Sequence, residues 1–200
     1  MKHVFLKFII LTTVILTLYS CATYNLNYKK SEKKWKENYE KPDAEIEHTF
    51  YLIGDAGNAN LNEPLDHLEI LKNELKEASK KSTVLFLGDN IYEKGMPKKE
   101  HPARKLAEHK LNAQIDIVKD FKGTTIFIPG NHDYYSSGVK GLKRQQDFIT
   151  KKLGKDSFLP ENGCPLEKIN ISDDTVLLIV DTQWYLEDWN KNPTMNDDCE

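Results

Sequence analysis

Short apolar runs that stop at a glycine, separated by stretches with helical spacing, set the organisation of this chain. The clearest run, Thr83 to Leu87, is followed by Gly88-Asp89-Asn90-Ile91-Tyr92. Five consecutive apolar or β-branched residues predict a strand buried on both faces. The glycine then lets the backbone turn sharply, so that Asp89 leaves the sheet at the strand's carboxyl end. The same grammar occurs upstream, where a strand over 48–53 ends in Gly54-Asp55-Ala56-Gly57, and downstream, where a strand over 124–128 ends in Pro129-Gly130-Asn131-His132-Asp133. In open α/β sheets that edge is where ligands bind.

Between the first two strands, Glu63-Pro64 opens a predicted helix with a stripe of Leu65, Leu68, Leu71, Leu75 and Ala78, closed by Lys80 and Lys81. A second helix over 103–121 follows Pro102 and repeats the stripe through Leu106, Ala107, Lys110, Leu111, Gln114, Ile115 and Val118, with Lys110 and Gln114 at its margin. Val139, Leu142, Ile149 and Leu153 mark a third helix, stopped by Gly154. Strands over 166–171 and 175–180, joined by Ser172-Asp173-Asp174, predict an antiparallel hairpin. The order strand, helix, strand implies parallel pairing with right-handed crossovers, and hence an α/β class.

The chain has 200 residues, enough for one domain with a real core. Its net charge of −3, with both signs interspersed, offers no basic footprint for nucleic acid. The N-terminus differs from the rest. Lys2, His3 and Lys7 precede an apolar run over 8–19 that is short of the ~20 residues needed to span a bilayer but suits a secretory segment. It closes in Leu18-Tyr19-Ser20-Cys21, which resembles the lipobox of bacterial lipoproteins. That resemblance implies a signal peptide over 1–21, a lipid on Cys21, and export to the bacterial cell envelope (the periplasm or outer-membrane side) with the membrane as a partner. An uncleaved anchor or an ordinary signal peptide is the alternative. Residues 22–47, rich in Asn, Tyr, Lys and Glu, read as a solvated tether, with a membrane-surface role for the lysines the other reading. The folded domain is expected over 48–200. Of the two late cysteines, Cys164 and Cys199 form one candidate bridge worth roughly 3–4 kcal/mol by chain entropy, with two free thiols the alternative.

Three rim loops carrying Asp55, Asp89 with Tyr92, and Asn131 with His132 have the donors a two-metal hydrolytic site needs. Two cations about 3.5–4 Å apart clamp the attacking and leaving oxygens of an in-line displacement. Holding them that close needs an anionic bridge, for which Asp89, on the central loop, is the candidate. Asp55 then serves one ion and the amide oxygen of Asn131 the other. Turn-forming Asp and Asn at strand ends is the blander reading of any one loop. Three in order, each after its own apolar run, favour the metal site.

These motifs resemble the first three of the calcineurin-like metallophosphoesterases, and specifically of the purple acid phosphatases. The first lacks the histidine that most other metallophosphoesterases carry two residues after the aspartate, Gly57 standing there instead, and the second adds Tyr92 three residues after the bridging aspartate. The resemblance implies a four-layer β-sandwich with flanking helices, here incomplete at the C-terminus. It also implies a dinuclear centre of Fe(III) with a divalent ion (Fe, Zn or Mn), and Tyr92 as an iron ligand, against a packed aromatic as the alternative. Hydrolysis of phosphomonoesters by a metal-bound hydroxide would follow, on phosphorylated small molecules or phosphoproteins. By the same resemblance His132 stabilises the phosphoryl oxygens or protonates the leaving group, with Asp133 its orienter. Other expectations remain: a phosphodiesterase or nucleotidase in which Tyr92 binds no iron, or a truncated, non-catalytic lipoprotein. The family pattern also demands later histidines, and no histidine follows His132.

Overall fold

The computed structural model describes residues 45–60 and 66–187. The signal segment with Cys21, most of the tether, the helix opening at Glu63-Pro64, and Cys199 lie outside them. Among the described residues no helix is long and apolar enough to cross a membrane.

Three parallel strands form the central sheet in the order β1 (Thr49–Ile53), β2 (Ser82–Phe86), β3 (Thr124–Phe127). Register is continuous across it: Ile53 faces Phe86, and Phe86 faces Phe127. The last pair stacks, with ring centroids 4.1 Å apart. Helices α1 (Asp66–Leu75), α2 (Arg104–Val118) and α4 (Val139–Leu153) bury their stripes against one sheet face. Leu68, Leu71 and Leu75 join Val84, Phe86, Leu111, Phe127, Leu142 and Ile149 in one core. Among the described residues the first stripe follows the predicted spacing, the second departs from it at Leu106, which is exposed, and α4 ends at Gly154, where φ is +98°. The helix predicted over 103–121 is shorter at both ends.

The second face is covered differently. The antiparallel hairpin β4 (Leu166–Asn170) and β5 (Val176–Val180) lays Ile179 against Leu85, Ile126 and Leu159. It leaves Leu52 and Leu87 exposed, so the strand expected to be buried on both faces is buried only as far as Phe86. The aliphatic run in β5 also alternates, with Val176, Leu178 and Val180 facing out. Composition alone could not separate a doubly covered strand from one covered along part of its length. Two short helices were not predicted: α3 (Asn131–Tyr134), which follows β3 at once, and α5 (Thr182–Leu186), capped by Asp181 Oδ1 accepting from the Trp184 N–H at 3.1 Å. Each is too short to carry a periodic stripe. The result is a mixed α/β fold in which all three parallel strands end on the same rim.

Candidate metal centre

The rim loops close on one another because glycines let them. Gly88 takes φ +97°, and the next residue, Asp89, is itself left-handed at +53°; Asp55 does the same at +56°. A side chain on Gly130 would place Cβ 2.3 Å from Asp89 Oδ1 and 2.4 Å from the Asp89 nitrogen. One on Gly57 would stand 2.2 Å from the Asn90 carbonyl carbon. The absence of histidine at position 57 therefore has a local cause: the β1 loop is packed directly on the β2 loop backbone. The Gly57 N–H donates to the Asp89 carbonyl at 3.0 Å, and the Tyr92 N–H to the Gly57 carbonyl at 3.0 Å.

This packing gathers three oxygen donors. The Tyr92 hydroxyl lies 2.5 Å from Asp55 Oδ1 and 2.8 Å from Asp89 Oδ2. Desolvation first, then the hydrogen bonds to both carboxylates, raise the phenol well above its ordinary pKa. Asp89 is nearly buried and its second oxygen, Oδ1, accepts the His132 N–H at 3.0 Å. Asn131 joins Asp55 and Asp89 on the wall of a cleft of about 400 Å³, which Thr182 and Gln183 of α5 complete. Its Nδ2 donates to the Tyr135 hydroxyl at 2.8 Å, an orientation that leaves the amide oxygen for a cation.

A model of the calcineurin-like phosphoesterase family matches residues 48–197, most of the chain and all three loops. The chain belongs to the calcineurin-like phosphoesterases. No curated protein and no solved structure matches it. The family's chemistry is metal-dependent hydrolysis of phosphoric esters, and its members usually use two metal ions.

The donors of this phosphoesterase fit one ion well. Asp55, Asp89 and Tyr92 converge with one phenolic proton between two carboxylates, a hard, anionic oxygen set suited to a hard cation. The second position has Asp89 and Asn131 only. Among the described residues no three His, Cys, Asp or Glu side chains gather in one place.

His132 and Asp133 part company. The His132 ring lies between Tyr92 and Tyr135, at centroid distances of 4.5 and 5.0 Å, and its Nδ1 is 2.7 Å from the Glu93 carbonyl oxygen. A carbonyl only accepts, so Nδ1 carries the proton and Nε2 is the free nitrogen. That carbonyl, not Asp133, orients the ring. Asp133 is fully buried and turned inward, accepting from the backbone N–H groups of Gly130 (2.9 Å), Asn90 (3.2 Å) and Ile91 (3.1 Å). Burial pushes its carboxyl up to about 6, although the Gly130 and Asn90 hydrogen bonds pull the other way. It ties the β2 loop to the β3 loop, a positioning role in place of the expected orientation of His132.

Two further residues hold the same loop from behind. On consecutive turns of α2, Lys110 Nζ donates to the Tyr92 carbonyl at 2.8 Å and Gln114 Nε2 to the Asn90 carbonyl at 2.8 Å. Both are buried, and desolvation lowers the Lys110 pKa. Both were expected at the margin of the apolar stripe, and the structure buries them because each donates to a carbonyl of the β2 loop. Tyr134, beside the site in sequence, packs in the core and donates to Asp181 Oδ2 at 2.5 Å, whereas Tyr135 faces solvent. Cys164 is disulfide-bonded, and Cys199, its expected partner, is outside the described residues.

Proposed function

We propose that this phosphoesterase is a phosphomonoesterase of the purple acid phosphatase type, with Asp89 bridging two ions, Asp55 and Tyr92 completing a ferric site, and Asn131 serving a divalent one. The observation that carries this reading is the Tyr92 hydroxyl seated between Asp55 and Asp89. A phenol there is needed for neither turn nor core, since Gly57 and Asp133 already hold the loop. Bound ions supply the positive charge that attracts a phosphoryl group and lowers the pKa of a water. The chain's own part is to fix the donors and to aim His132. With Nδ1–H on the Glu93 carbonyl, Nε2 is the atom available to the substrate, and in the imidazolium form it would donate its own proton to a phosphoryl oxygen or pass it to the leaving oxygen.

Reconstitution of the full chain with iron tests the reading. A visible phenolate-to-iron band, present in the native protein and absent from Tyr92→Phe, is the expected result. A colourless protein that still hydrolyses phosphomonoesters would remove Tyr92 from the ligand set and leave the phosphodiesterase or nucleotidase expectation standing.

The sparse second position favours a second reading, in which the chain binds one ion and presents the site with little or no turnover. Metal analysis separates the two: two equivalents with turnover support the phosphatase, one equivalent without it the second reading. We also propose export and lipid anchoring at Cys21, which the disulfide at Cys164 supports, because disulfides persist in oxidising compartments. Palmitate labelling that disappears in Cys21→Ala is the expected outcome, and labelling that persists overturns it.

A further inference from the structure

We propose that the cavity beside Tyr92 is a leaving-group site, and that the substrate is a phosphomonoester whose alcohol portion is bulky, ring-sized and largely apolar. The inference rests on the phosphomonoesterase reading and adds the class of ester to it. The cavity, about 840 Å³, lies between the loop that follows Tyr92 and the first turns of α2, and Tyr92, Pro97, Pro102, Leu106, Lys110 and Tyr135 are among its walls.

Three observations connect it to the metal centre. Two of its wall residues touch three of the four proposed ligands: Tyr92 bonds Asp55 and Asp89, and the Tyr135 hydroxyl accepts from Asn131. The His132 ring lies between those same two tyrosines. A phosphoryl group bound through ions on Asp55, Asp89 and Asn131 would have this cavity beyond the Tyr92 and Tyr135 rings, and we place the alcohol portion of the ester there. When water adds to phosphorus, the P–O bond to that portion breaks, the electron pair stays on the alcohol oxygen, and the oxygen takes a proton to leave as the free alcohol.

The walls specify which alcohol. The volume falls within the roughly 300–1,000 Å³ of small-molecule pockets and far exceeds what a phosphate or methyl group fills. Leu106 and Tyr135 are large apolar side chains exposed along it, at 38 % and 53 %, a placement that costs free energy unless something covers them. Charge does not favour a polyphosphate. Lys94 and Lys98 on the wall are matched by Glu93 and Glu100, and the Lys110 ammonium is already spent on the Tyr92 carbonyl. The site thus selects by apolar bulk.

Binding to the full chain reconstituted with iron and manganese tests this, with benzylphosphonate and methylphosphonate as non-hydrolysable probes and 2-naphthol alone as a phosphate-free probe. Benzylphosphonate is expected to bind at least tenfold tighter than methylphosphonate. Leu106→Arg, at a partly exposed helix position, and Ala103→Phe, outside the core, should each bring that ratio towards one. 2-Naphthol should shift the NMR signals of Leu106 and Tyr135. Equal affinity for the two phosphonates in the native chain, or a preference that survives both variants, would overturn the leaving-group site and leave the phosphatase reading intact. Failure of both phosphonates while 2-naphthol still binds would instead overturn the phosphatase reading on which the inference rests.

Discussion

The two sides of the Asp89 carboxylate are built unlike each other. On one side Asp55 and Tyr92 stand on loops whose backbone groups are almost fully engaged. Asp133 takes the N–H groups of Asn90 and Ile91, Lys110 and Gln114 take the carbonyls of Tyr92 and Asn90, and Gly57 bonds the loop twice. On the other side Asn131 is the one donor besides Asp89: the N–H groups of its neighbours Gly130 and His132 are held by Asp133 and Asp89, but its side chain is tied to a tyrosine that itself faces solvent. Donors fixed before a cation arrives need little ordering when it binds, whereas a side with few donors relies on what else comes to it. The difference teaches that the site is one half rich in fixed donors and one half short of them, with the Asp89 carboxylate as the donor both share.

The largest effect should come from removing the joint. Asp89→Ala takes a donor from both sides and is expected to abolish metal retention and activity together, by elemental analysis and phosphatase assay. His132→Ala should keep the metal while turnover falls by ~10²–10⁴-fold. Full metal occupancy in the Asp89 variant would break the comparison at its root.

A smaller change wedges the seam between the halves. Gly130 has an ordinary φ of −110°, so Gly130→Ala acts through space alone, its Cβ meeting Asp89 Oδ1 at 2.3 Å. We expect a stability loss of about 1–3 kcal/mol by denaturant titration, with weakened metal binding. A variant as stable and as metal-replete as the native chain would show that the rim yields more easily than its fixed donors suggest.

The smallest effect concerns the side short of donors. Its wall, α5, is anchored by Asp181, whose buried carboxyl is raised above the ordinary aspartate value of 3.8, burial outweighing the hydrogen bonds from Tyr134 and Trp184. A raised folded value means that the folded chain holds this proton after the unfolded chain has lost it. Asp181 therefore lowers stability as pH climbs from about 3.8 through the raised value, and is neutral in slope on either side. Asp181→Asn should flatten that part of a urea-denaturation profile measured against pH in the metal-free protein. An unchanged slope would place the anchor elsewhere.

Much of this was legible in the chain itself, and for a physical reason. An apolar run that stops at glycine fixes both a buried strand and the point where it leaves the sheet, so the sequence alone puts Asp55, Asp89 and Asn131 on one rim. Tyr92 enters as a ligand only through the resemblance of Gly88-Asp89-Asn90-Ile91-Tyr92 to the purple acid phosphatase motif. What stayed hidden depends on contacts distant in sequence. Whether Asp133 faces His132 or the backbone of residues 90 and 91 is set by how the β3 loop docks on the β2 loop. Likewise Leu87 is exposed because the hairpin stops short of it, which no local pattern records. Lys110 and Gln114 read as lying at the margin of a stripe, and neither their burial nor their support of the Asp89–Tyr92 loop was visible.

The left-handed backbone at Asp55 carries a last consequence. Glycine would occupy that bend without conformational penalty, and would also relieve two carboxylates brought together around one phenol. The metal-free Asp55→Gly protein should consequently melt at a higher temperature than its parent while losing the ion it was shaped to receive. Thermal robustness and cation capture pull in opposite directions at this one residue.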